Sequence, residues 1–203
     1  MLEQWNLTLF SWINSATTHP PSFLLFFAIF SAEVLIYLLA AGMVIGWIRR
    51  TSNFRTALLT ATLAAVIGLL INQAIGLVWY HPRPFEMGVG HNLMKHVVEN
   101  SFPSDHATVF FSIGLSLFAM KQTRQWGIII SLLAILVAWS RVYLGIHFPF
   151  DMIGSFLVAL VAVVISLRMR PVIEKKLEPP LTQLYEKILR LLHLPESLFP
   201  IER

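Results

Sequence analysis

The sequence contains no cysteine, and only 13% of its 203 residues are charged. Without cysteine there is no disulfide framework, no thiolate metal site and no cysteine nucleophile. A soluble domain carries about 25% charged residues. A chain at 13%, with 56% hydrophobic residues, is short of the charge needed to cover a water-facing surface. The first 20 residues hold Glu3 but no Lys or Arg, so the basic n-region of a cleavable secretory signal is missing. Internal repeats, low-complexity tracts and a second domain are not evident either.

What the sequence does have is long apolar runs, and its mean hydropathy is +0.69. Crossing a bilayer takes about 20 mostly apolar residues per helix. Five stretches qualify or come close: 22–48, broken only by Glu33; 57–79, without charge; 104–120; 126–144; and 149–167. The third is short and needs its polar start to reach the interface. The reading is an all-α integral membrane protein, a bundle of about five transmembrane helices with amphipathic helices at both termini. Residues 1–20 read as an interfacial helix, because "EQWNLTLFSWIN" mixes Trp, Leu and Phe with polar groups. Residues 21–170 form the transmembrane domain. Residues 171–203 form a cytoplasmic tail in which Leu181, Leu184, Ile188, Leu191 and Leu192 keep helical spacing.

Charge sets the orientation, since Lys and Arg collect in cytoplasmic loops. Arg49, Arg50 and Arg55 lie between the first two runs, Lys121 and Arg124 between the third and fourth, and Arg168, Arg170, Lys175 and Lys176 after the fifth. With five spans all three places share one side of the membrane. The +4 net charge is therefore topogenic and lipid-facing, and needs no nucleic-acid partner. Trp47, Trp79 and Trp126 sit near the ends of runs, as interface anchors do.

The other side is less ordinary. Three polar clusters sit at the ends of runs there: "HPRPF" (residues 81–85), "PSDH" (103–106) and "SRVYLGIHFPFD" (140–151). Ionisable groups beside membrane spans are costly and point to function. Arg83 and Arg141 can grip phosphate oxygens in bidentate fashion. Ser104 stands at an expected helix N-terminus, where free N–H groups favour an anion. His106 and His147 are able to move protons or attack near neutral pH. Asp151, four residues after His147, can orient its ring by accepting from one nitrogen. Pro149 suits a first helical turn, which puts His147 just before the fifth helix. An anion cradle with two histidines suits phosphoryl transfer through a phosphohistidine.

These residues resemble the type 2 phosphatidic acid phosphatase superfamily of membrane lipid phosphatases. Its three motifs are Lys-x6-Arg-Pro, Pro-Ser-Gly-His and Ser-Arg-x5-His-x3-Asp. Here they appear as Arg83-Pro84, Pro103-Ser104-Asp105-His106, and Ser140-Arg141 with His147 and Asp151 at the family spacing. Two positions depart: Gly76 stands where the family has lysine, and Asp105 where it has glycine. Both, with "HPRPF", resemble the bacterial undecaprenyl pyrophosphate phosphatases associated with bacitracin resistance. The resemblance implies that His147 attacks phosphorus, Asp151 orients it, and His106 protonates the leaving group and later activates water. Arg83, Ser104 and Arg141 then hold the phosphate oxygens. Asp105, His81 and Lys95 are possible substrate-binding residues, the last two as substitutes for the missing lysine. No metal and no other cofactor is implied. The implied partners are a polyprenyl diphosphate substrate and membrane lipids. The implied location is the bacterial inner membrane, with the site on its periplasmic face.

Other readings compete. The same chemistry could serve phosphatidylglycerophosphate, phosphatidate or lipid A, the last by phosphotransfer. A transporter is the reading from another class, but it would place ionisable groups at the midplane and show an inverted repeat. His81, His91 and His96 match no strong zinc spacing. Glu33 is expected to face a polar helix neighbour, and Asn72 and Gln73 to bond between helices.

Overall fold

A computed structural model describes residues 1–49 and 51–192, and these contain helices and no strands. Arg50 and residues 193–203 of the expected tail lie outside the described residues. Eight α-helices follow in order: α1 (Leu2–Asn14), α2 (Ser22–Ile29), α3 (Leu35–Arg49), α4 (Ser52–Val78), α5 (Asp105–Phe118), α6 (Arg124–Tyr143), α7 (Pro149–Val172) and α8 (Glu178–Leu191). A π turn, Phe30–Val34, joins α2 to α3, and another, Ile173–Leu177, joins α7 to α8 just after Pro171. Proline has no N–H to continue the ladder and its ring crowds the preceding turn, so a local break there is expected.

Four rods are long and apolar enough to cross a membrane: Ser22–Arg49, Ser52–Val78, Lys121–Tyr143 and Pro149–Leu191. Their outward residues, among them Leu38, Ile45, Leu70, Leu132, Ile135, Leu157 and Val164, are exposed and apolar, as a lipid-facing surface requires. The chain is a multi-pass membrane protein.

The fifth expected span differs. α5 has 14 residues, about 21 Å at 1.5 Å per residue, against a hydrocarbon core of about 30 Å. Its start is level with Asn72 of α4, whose amide reaches Asp105 and Thr108. From Asn72, α4 continues to Val78, about 9 Å further. The polar end of α5 is therefore recessed below the end of its neighbour.

α5 packs against α4, α6 and α7. Small residues make this possible: Ala57, Ala61 and Ala65 of α4 meet Ile113 and Leu117, while Ala134 and Ala138 of α6 meet Phe110 and Phe111. A side chain at Gly114 would strike Ser131, and one at Gly127 would strike the Phe118 backbone. Close approach of this kind replaces the hydrophobic drive that lipid does not supply.

α1 is pinned to the end of the bundle where α5 begins. The Phe10 ring meets Phe148 edge-on at 5.2 Å. Asn6 Oδ1 accepts from the Phe150 N–H. The Asn14 amide donates to the carbonyls of His91 and Tyr143 and accepts from the His91 N–H. At the opposite end lie Arg49, Arg55, Lys121 and Arg124. Arg55 corrects its expected place in a loop: it sits inside α4, fully buried. There its guanidinium lies between the Trp47 and Tyr185 rings, at 5.6 and 5.2 Å from their centroids. Glu33 lies exposed on the π turn of the first rod.

Candidate active site

The 79–104 segment and the 144–148 turn close over the recessed start of α5. The segment is folded by its own backbone and amides: Ser101 N–H donates to the His81 carbonyl, and His81 N–H to Asn100 Oδ1. Leu93 N–H donates to the Leu144 carbonyl and ties the segment to the turn. Beneath them is a cavity of about 200 Å³. Asn72 and Gln73 of α4, Asp105 and His106 of α5, Arg141 of α6, His147 of the turn, and Arg83, His96, Glu99 and Asn100 of the segment line it.

His147 is the most constrained of these. Phe148 caps α7, and Asp151, three residues on, accepts the Phe148 N–H at 2.8 Å with Oδ2. The same oxygen lies 3.2 Å from His147 Nδ1 and accepts from the Ser101 hydroxyl at 2.6 Å. The opposite ring nitrogen, Nε2, is 3.1 Å from Arg83 Nη1. A guanidinium only donates, so Nε2 is the acceptor there and the ring proton sits on Nδ1, towards Asp151. Burial draws the His147 ring below its ordinary pKa, and Asp151 opposes that shift. The result is a neutral imidazole at the cavity wall whose Nε2 lone pair meets the Arg83 guanidinium.

Both arginines are buried. Arg83 also donates to the Ile146 carbonyl at 3.0 Å, to the Glu99 carbonyl at 3.2 Å and to Glu99 Oε1 at 2.9 Å. Burial lowers the Arg83 pKa, and Glu99 acts the other way. Arg141 Nη1 donates to Ala32, whose carbonyl belongs to the first π turn, at 3.3 Å. Its Nη2 is 3.2 Å from His96 Nε2, and its buried Nε has no protein partner.

The structure thus brings together His147, Asp151, Arg83, Arg141, His106 and Asp105. Ser104 is adjacent: it stands at the N-cap of α5 with a buried hydroxyl that neither caps the helix nor meets another protein group. His81 and Lys95 do not line the cavity. The His81 ring packs edge-on against Phe148 and faces Glu3 at 3.8 Å, while Lys95 is exposed. Asn72 bonds between helices as expected, to Asp105 at 2.8 Å and Thr108 at 3.0 Å.

Sequence reasoning missed Ser101, Glu99 and Asn100, and it weighed His96 only as a metal ligand. Ser101 and Asn100 carry no periodic or motif signal. Glu99 lies three residues from His96 in a stretch otherwise rich in titratable groups, which was a signal left unused. Among the described residues no group of three or more His, Asp and Glu side chains is placed to hold a metal ion.

Comparison with known proteins bears on the family and the fold. The family model described as PAP2 superfamily matches residues 56–175. An Escherichia coli (strain K12) protein named putative undecaprenyl-diphosphatase YbjG is 36% identical over 162 residues, covering 79% of this chain and 80% of that one. The Bacillus subtilis (strain 168) undecaprenyl-diphosphatase BcrC is 32% identical over 133 residues, covering 66% and 68%. The crystal structure of Aquifex aeolicus LpxE superposes with a TM-score of 0.64 at 26% identity, covering 81% of this chain and 95% of that one.

Proposed function

Because the chain belongs to the PAP2 superfamily, we propose that it is a lipid phosphatase that converts undecaprenyl diphosphate and water into undecaprenyl phosphate and inorganic phosphate. The observation that carries this reading is the His147 ring, held on Nδ1 by Asp151 at 3.2 Å and facing Arg83 with Nε2 at 3.1 Å. A nucleophile needs a lone pair that the substrate can free and a partner that stabilises the charge it acquires; Nε2 on Arg83 and Asp151 on Nδ1 support that reading.

The terminal phosphoryl group enters between Arg83 and Arg141, whose guanidinium forks suit its oxygens. Oxygen atoms of the substrate replace His147 as the acceptor for Arg83, which frees Nε2 to attack. The N–P bond forms as the bond from phosphorus to the bridging oxygen breaks. His106 gives its proton to the departing undecaprenyl phosphate. Asp151 stabilises the imidazolium on the Nδ1 side. Water then loses a proton to His106 and attacks phosphorus, the N–P bond breaks, and inorganic phosphate leaves. The two guanidiniums and the Ser104 hydroxyl stabilise the charge on the equatorial oxygens in both steps. No step requires a metal.

Residues 1–20 serve as an interfacial helix, 21–170 as the membrane phosphatase domain and 171–203 as a cytoplasmic tail. The exposed Leu184, Ile188 and Leu191 of α8 suit a membrane surface. The cation-rich end lies in the cytoplasm under the positive-inside rule, so the cavity opens to the periplasmic face of the bacterial inner membrane. There it recycles the lipid carrier of cell-wall synthesis and contributes to bacitracin resistance. Phosphate release by purified protein with EDTA present, with undecaprenyl diphosphate and phosphatidate in competition, tests the reading. Preferential release from the diphosphate supports it. A clear preference for phosphatidate refutes the substrate, and no release from either refutes the activity.

A further inference from the structure

The wall of the cavity at Gly76 bears no side chain, and a Cβ built there would lie 3.2 Å from the Asn100 amide nitrogen. The position of the missing lysine is thus taken by a neutral group. A diphosphate nevertheless carries more negative charge than a phosphate monoester, and it has two phosphorus centres to hold.

A short stretch of the covering segment touches both buried arginines. Glu99 Oε1 is 2.9 Å from Arg83 Nη2, and His96 Nε2 is 3.2 Å from Arg141 Nη2. The two residues also face each other, with His96 Nδ1 3.7 Å from Glu99 Oε1. Since Arg141 can only donate, His96 offers it a lone pair and is neutral in this state. Its Nδ1 then points its proton towards the Val97 carbonyl at 3.3 Å. Burial, reinforced by the charge of Arg83, holds its pKa below the ordinary histidine value. Glu99 and His96 are therefore acceptors standing on the guanidiniums where phosphate oxygens would otherwise accept. The Glu99 side chain is 57% exposed and has room to swing away, whereas that of His96, 16% exposed, stays at the cavity wall.

The two guanidiniums differ in what lies beyond them. Arg83 contacts His147 Nε2, so the phosphoryl group under attack sits on its side. Arg141 faces His96, and His106 lines the same cavity.

We propose that His96 is a further substrate-binding residue, which takes the second, lipid-linked phosphate of a diphosphate and supplies the positive charge that Gly76 cannot. An oxygen of that phosphate takes the Arg141 Nη2–H that now meets His96, while Arg141 Nε, which has no protein partner, holds the terminal phosphate; His96 takes a proton from solvent and turns from acceptor to donor. Glu99 leaves Arg83 to the terminal phosphate. This deepens the reading given above and rests on it: His96 explains a preference for diphosphates over monoesters in the same site.

The test uses inorganic pyrophosphate and inorganic phosphate as competitive inhibitors of lipid phosphate release by the full chain. His96→Ala and His96→Gln are compared with wild type, and folding is checked by size exclusion and thermal melting. A charged hydrogen bond lost from a buried site costs about tenfold to a hundredfold in affinity. The expected result is a loss of that size for pyrophosphate with His96→Ala and a change under about threefold for phosphate. KM for undecaprenyl diphosphate rises accordingly, while kcat falls less. His96→Gln, which keeps a neutral donor, falls between. Equal losses for both inhibitors, or no loss for either, overturn the proposal. Failure of wild type to release phosphate from undecaprenyl diphosphate instead refutes the proposed substrate. The inhibitor comparison then still decides the role of His96 on whichever lipid phosphate is turned over.

Discussion

Two buried arginines, one at each end of the bundle, show what separates a site from an anchor. Arg141 is buried beside a cavity and faces acceptors that a ligand can displace. Arg55 is buried more completely, yet it lies between two aromatic rings, with Nε on the Trp47 carbonyl and both terminal nitrogens without a protein partner. Each guanidinium has been removed from water at considerable cost. Only at the first do two histidines, a buried carboxylate and open space converge. A buried cation is therefore weak evidence of function by itself; its neighbours carry the argument.

Substitutions can break that comparison. The largest effect belongs to His147→Ala, which should lower phosphate release by more than about 10³-fold because it removes the nitrogen on which the proposed covalent intermediate forms. Asp151→Asn should cost about 10²–10⁴-fold in kcat with little change in KM, since it favours the wrong tautomer of His147. Ser101→Ala comes next. It removes the 2.6 Å bond to Asp151 Oδ2 and should lower kcat by about tenfold, as expected for one hydrogen bond to a charged group. Ser101 acts through Asp151, so KM should hold and Ser101→Thr should restore part of the rate. Asp105→Gly should keep phosphatase chemistry while altering substrate preference or the pH profile, because it removes a carboxylate held by Asn72 at the cavity wall. An unchanged profile would deny Asp105 a special role. The smallest effect is expected of Arg55→Met. Replacing a buried charge by an apolar side chain is often neutral or stabilising, so phosphate release should stay within about twofold of wild type, with a melting temperature equal or higher. A folded Arg55→Met protein that lost its activity would erase the distinction between the two ends.

Much of this was legible in the sequence, for identifiable reasons. Long apolar runs announce membrane helices because the bilayer tolerates little else, and Ser22–Arg49, Ser52–Val78, Lys121–Tyr143 and Pro149–Leu191 follow from that. The short α5 was visible as a weak span, but its recess was not. The depth of its start is set by Asn72 on another helix, and such a pairing leaves no mark on local periodicity. His147 and Asp151 were readable because a spacing of three intervening positions and Pro149 fix their relation locally. Ser101, Glu99 and His96 were not. Their partners are Asp151, Arg83 and Arg141, distant in sequence and brought close only when the covering segment folds. The same segment sends Lys95 outward and His81 towards Glu3, although both looked equally able to replace the lysine missing at Gly76. Arg55 shows the converse, because proximity to a loop in the sequence concealed its burial.

The central claim is covalent catalysis by His147. Its most direct test is a rapid-quench experiment with purified protein and undecaprenyl diphosphate carrying a radiolabelled terminal phosphate. Labelled protein should appear before free phosphate, with the label acid-labile and mapped to His147, and His147→Gln should give neither label nor turnover. Phosphate released with unlabelled protein at every quench time, or at the wild-type rate by His147→Gln, would contradict it.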